Sequence, residues 1–153
     1  APEPIHPPLT AEASAQQAFI EFAEKSAEPP ARNVLFTLRQ MVQNREIVPG
    51  GCWDYLHAGF NRAGVPAKRR QTLFAGTLRE GPYAPAEMLE AGDWLYYVNH
   101  SYNDVEHSGV FVGWTDYEQH QGLVLSYAGE GRGEPGRYKV YDLSHVYQVT
   151  RPR

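Results

Sequence analysis

The sequence is poor in cysteine, with one, Cys52, in 153 residues. A single thiol excludes an intrachain disulfide framework, and no Cys/His spacing of the zinc-binding kind is present. Positive charge is not in excess either. The formal net charge is −4, which argues against a nucleic-acid binder held by bulk electrostatics. No apolar run approaches the ~20 residues of a membrane-spanning helix, and there is no internal repeat. What is present suits a globular domain. Hydrophobic residues make up 42% and charged residues 21%, a balance that excludes global disorder. The length allows one domain with a real core. Ten tyrosines and three tryptophans are a heavy aromatic load, fit for a core or an aromatic-lined groove.

The chain starts Ala1-Pro2-Glu3-Pro4 without an initiator methionine, which fits a mature end after leader removal or a simple boundary. Residues 1–9 are Pro-rich and read as an extended arm. Thr10 reads as an N-cap, followed by an acidic first turn and an apolar face of Ala18, Phe19, Phe22 and Ala23. Glu28-Pro29-Pro30 breaks that helix, and Asn33 to Val42 reads as a second one. Residues 68–85 read as irregular, with a basic cluster at Lys68-Arg69-Arg70. Strands are expected at Trp94–Val98, Val105–Trp114, Gly122–Tyr127, Arg137–Tyr141 and Val146–Val149. Helices first and antiparallel strands after make an α+β arrangement.

Cys52 follows two glycines and opens a segment with Trp53, Leu56 and Phe60 at helical spacing, closed by Ala63-Gly64-Val65-Pro66. A thiol in the first turn of a helix meets unpaired backbone N–H groups and the positive end of the macrodipole, both of which favour thiolate. A free cysteine is more often a small buried hydrophobe, so a nucleophile needs a matching base. Of the six histidines, His6 lies in the arm, and His57 lies on the same helix but another face. His100, His120 and His145 fall in loops or turns. His107 alone opens a central strand, the rigid position that general-base geometry requires.

Several blocks resemble the NlpC-type cell-wall cysteine peptidases, papain-like enzymes. Cys52 to Pro66 is similar to their nucleophile helix and Arg70-Gln71-Thr72 to the segment after it. Met88 to Tyr97 is similar to their Pro-Gly-Asp strand, and His107-Ser108-Gly109-Val110-Phe111-Val112-Gly113 to their His-Val-Gly-Ile-Tyr-Val-Gly. The blocks keep the family's order over about residues 48–150. The resemblance implies a papain-like fold in which the nucleophile helix packs on an antiparallel sheet of about five strands. It divides the chain into the arm, 1–9, and a single catalytic domain, 10–153, with N-terminal helices in 10–47 and the NlpC-like core in 48–150. It implies Cys52 as nucleophile, His107 as base, and a polar third residue on the next strand. Pairing Gly113 with Gly122 puts Ser126 opposite Gly109 and makes it the candidate, with Tyr127 or Leu125 taking its place if the register slips by one. Gly51 stands where the family usually has Asp, and Trp53-Asp54 where it has Ser-Gly. Asp54 and Glu106 are the acidic candidates for the missing substrate contact, alongside Trp53 and Arg70 as substrate-binding residues.

The expected activity is hydrolysis of amide bonds in the peptide stems of bacterial peptidoglycan. No metal, organic cofactor, nucleic acid or membrane span is implied, and the setting implied is secreted or the cell envelope. Two rivals share the residues: an acyltransferase or deamidase effector on the same fold, and a non-catalytic binding module with an inert Cys52.

Overall fold

The computed structural model describes residues 10–153, so the Pro-rich arm lies outside the described residues. Thr10 caps the first helix, α1 (Ala11–Ser26), its Oγ1 accepting from the Ala13 N–H at 3.1 Å. The second, α2, is Pro29–Gln43. It begins four residues earlier than the sequence suggests, because the two prolines that end α1 also start α2. At the first helical positions the missing proline N–H has no partner to lose. The third helix, α3, is Cys52–Arg62, followed by Gly64 at φ +83°. This is the left-handed turn that glycine tolerates best at a helix end. Asp54 closes the other end, its Oδ2 accepting from the Gly51 N–H at 2.9 Å.

Six strands follow: β1 (Arg70–Ala75), β2 (Trp94–Asn99), β3 (Val105–Asp116), β4 (Gln121–Ser126), β5 (Arg137–Asp142) and β6 (Val146–Pro152). They form one antiparallel sheet in the order β1-β6-β2-β3-β4-β5. The strand beyond the expected five is β1, inside the segment read as irregular. It is an edge strand with much of its surface exposed, and its polar residues hide the period-2 pattern while protecting the edge from further pairing.

The sheet separates two apolar layers. On the helix side Trp94, Val110, Leu123 and Leu125 pack with Leu38 of α2 and Leu56 and Phe60 of α3. On the far side Leu95, Phe111, Val124 and Val149 are covered by Ala84 and Leu89 of the β1–β2 connection. Two ion pairs fasten neighbouring elements. Arg39 of α2 holds Glu24 of α1 through two bonds of 2.8 and 3.0 Å. Arg151 of β6 grips the fully buried Asp93 through two bonds of 2.8 Å, fixing the turn that leads into β2.

The β3–β4 hairpin differs from its expected register. Gly122 faces Trp114 rather than Gly113, and a bulge between Phe111 and Gly113 absorbs the extra residue. Below the bulge Val110 faces Leu125, so the expected neighbourhood of Ser126 returns. A Cβ at Gly109 would lie 3.4 Å from that of Ser126.

Candidate functional site

Cys52 is the first residue of α3 and is half-buried. Its Sγ lies 3.3 Å from the carbonyl oxygen of Ser108, to which the thiol donates. The helix N-terminus therefore meets β3 at the carbonyl of Ser108, the residue that follows His107. Burial pushes the thiol pKa up, opposed by hydrogen bonding from Ser108, the Tyr127 backbone and the Arg137 charge. The net direction is upward, so the sulfur rests as a thiol despite its place at the positive end of α3.

His107 faces Tyr97 across β2–β3, and its ring stands edge-on to Tyr97 and to Tyr141, both at 5.5 Å. No hydrogen bond holds the imidazole among the described residues, and none joins it to the Cys52 sulfur. Burial, then the charges of Arg137 and Lys139, push its pKa down to about 4. At neutral pH it is an unprotonated imidazole, the form a base must have. The resting pair is thus thiol and neutral imidazole, not thiolate and imidazolium. The Arg137 charge acts on both members. Catalytic hydrogen bonds are often loose before substrate binds.

Ser126 is fully buried, and its Oγ lies 3.5 Å from the Tyr141 hydroxyl. It therefore touches the ring that walls His107 instead of bonding the imidazole directly. The Tyr97 hydroxyl is buried without a partner among the described residues. Its own pKa is raised well above the usual value, first by burial and then by Tyr141 and Cys52.

The four expected substrate contacts separate into two groups. Trp53 and Arg70 come together, lining a shallow cleft of about 140 Å³ with Trp94, Tyr96, Gln148 and Thr150. Trp53 is 49% exposed and stacks on His57 at 4.5 Å. Arg70 is held by the Val65 carbonyl at 2.9 Å, by His57 at 2.9 Å and by Asn61 at 3.1 Å. With its guanidinium so occupied, Arg70 forms a wall of the cleft. Asp54 is spent on capping α3. Glu106 is exposed on β3, and its charge raises the pKa of Tyr96 and Tyr147, in both after burial. Sequence reasoning missed Tyr97, Tyr141 and Arg137, because a tyrosine or arginine on a strand carries no motif of its own.

A larger hollow lies elsewhere. A cavity of about 720 Å³ opens between α1, the start of α2 and β3, with Phe19, Phe22 and Trp114 in its lining. Neither Cys52 nor His107 borders it. Among the described residues no group of three His, Cys, Asp or Glu side chains is placed to hold a metal ion, and no helix is long and apolar enough to cross a membrane.

Comparison of the chain with family models, with curated proteins and with solved structures gave no match.

Proposed function

We propose that this chain is a cysteine hydrolase of the papain-like NlpC type that cleaves amide bonds in the peptide stems of bacterial peptidoglycan, in a secreted or cell-envelope setting. The observation that carries the reading is the contact of the Cys52 sulfur with the Ser108 carbonyl, one residue beyond His107. Nucleophile and base come from segments 55 residues apart, and this contact brings those segments together. The neutral state of His107 supports it further.

In the proposed reaction His107 takes the Cys52 proton as the sulfur attacks the amide carbon. The oxyanion is held by backbone N–H groups at the start of α3, where the helix has donors to spare. His107 then gives its proton to the leaving nitrogen, the C–N bond breaks, and the amine departs. Water hydrolyses the thioester with His107 again as base, restoring the thiol. The cleft lined by Trp53, the residue after Cys52, offers an aromatic shelf for substrate.

The test is digestion of purified sacculi, with released fragments and new amine termini read by mass spectrometry. The expected result is soluble fragments with new amine termini, none with a Cys52→Ala variant. Sacculi left intact by the wild-type protein would overturn the reading. Acylated or deamidated products without chain cleavage would move it to the transferase or deamidase alternative.

A further inference from the structure

The reaction above employs Cys52 and His107 but gives no task to Arg137 and Lys139, the two cations whose charges act on His107. After β4 the chain runs through a glycine-rich segment tied to the start of α3. The Glu130 N–H donates to the Gly50 carbonyl at 2.9 Å, and Gly136 lies so close to Tyr55 that a Cβ would collide with its hydroxyl. This close approach delivers Arg137 to the site. In the β4–β5 register Arg137 faces Ser126, so residues 137, 139 and 141 share the face of the sheet that carries the His107 ring. Tyr141 on that face stands edge-on to His107, and the Lys139 Nζ lies 5.4 Å from the centre of the Tyr141 ring. Arg137 uses one nitrogen on exposed Glu134 at 3.2 Å. Its Nε is buried and has no partner among the described residues, and Lys139 makes no ion pair there.

We propose that Arg137 and Lys139 form a carboxylate-binding subsite on the leaving-group side of Cys52, so that the residue expelled as an amine carries a free carboxylate. The proposal rests on the hydrolase reading for its side of the scissile bond. His107 must reach the departing nitrogen, so whatever lies against the imidazole belongs to the departing residue. A guanidinium with unused N–H groups is suited to the planar geometry of a carboxylate. The arrangement also links recognition to chemistry. Two cations facing an imidazole oppose the proton it must accept, and a bound carboxylate cancels that opposition. The acidic substrate therefore raises the basicity of His107 and is favoured in kcat as well as in KM.

The test compares two peptides that differ only in carboxylate against carboxamide on the departing residue. The wild-type protein is expected to favour the carboxylate by roughly tenfold or more in kcat/KM, the range of a lost charge-assisted hydrogen bond. In Arg137→Gln and Lys139→Gln variants that preference collapses, with the carboxylate peptide losing far more than the carboxamide. Equal rates for the two peptides, or an equal loss on both, would overturn the subsite. A second readout needs no turnover: glutarate is titrated into Cys52→Ala protein while the His107 imidazole signal is followed by NMR. A saturable shift with a rise in the His107 titration midpoint, absent with glutaramide and in the double variant, supports the subsite. If that shift occurs but no peptide is cleaved, the hydrolase reading fails and the subsite stands. If peptides are cleaved without preference and glutarate shifts nothing, the subsite fails and the hydrolase stands.

Discussion

Histidines occupy two contrasting regions of this molecule. His100 and His145 meet at 2.7 Å between the β2–β3 loop and the β5–β6 turn, with Asp104 on His100 at 2.9 Å and Ser144 on His145 at 3.0 Å. Both ring nitrogens of His100 and the Nδ1 of His145 already serve to tie loops together. His107 sits between two tyrosine edges, with no hydrogen bond on its ring among the described residues. The contrast teaches that an imidazole fully used by its neighbours is a fastener. One with no hydrogen bond on its ring, as at His107, keeps a lone pair free.

The comparison breaks most sharply under mutation. His107→Ala is expected to lower the rate of peptide cleavage by roughly a thousandfold or more, the scale of losing a general base that works with a nucleophile. His145→Ala is expected to leave kcat/KM within about twofold, since nothing connects it to the sulfur. Comparable losses for the two variants in one steady-state assay would erase the distinction drawn here.

Acid sharpens the same contrast. His107 titrates near 4 in the folded chain against an ordinary value of 6.5, so the unfolded chain binds the proton more readily. Between those values lowering the pH therefore costs stability, and above 6.5 the contribution is complete. Thermal melts of the wild-type protein should show the midpoint falling from pH 6.5 towards pH 4. In a His107→Phe variant, which keeps an apolar ring between the tyrosines, that part of the fall should vanish. The cleavage rate should decline through about pH 4 as the base becomes protonated, and a limb near 6.5 would contradict the buried setting of His107.

The smallest effect belongs to the tie. His100→Ala removes the bonds to Asp104 and His145, all at partly exposed positions, and should cost about 0.5–1 kcal/mol in denaturant unfolding. Its cleavage rate should be unaffected. A loss of several kcal/mol would show that the loop and turn are part of the core.

Much of this was legible in the chain itself. Trp53, Leu56 and Phe60 announce α3, and Gly64 with Pro66 announces its end. His107 stands out because a β-rich run begins beside it. Other parts were hidden for physical reasons. The edge position of β1 lets Arg70, Gln71 and Thr72 look like loop, and Pro29-Pro30 reads as a stop although prolines are equally good starts. Ser126 stands opposite Gly109 only because the bulge near Val112 undoes a one-residue slip at the hairpin tip. Asp54 looked like a substrate contact, but the capping need of a helix preceded by glycine claimed it. Arg137 and Lys139 look on paper like a solvated strand face, and only the sheet order sets them beside His107.

The sulfur-to-carbonyl contact at Ser108 has one more consequence. While its S–H is donated to a main-chain oxygen, Cys52 is a slow partner for peroxide and alkylating agents, since these react with thiolate. The unliganded chain is accordingly safe from oxidation at its only thiol. It becomes vulnerable at the moment an occupant frees that proton, and the rate of peroxide consumption with and without a bound peptide measures the difference.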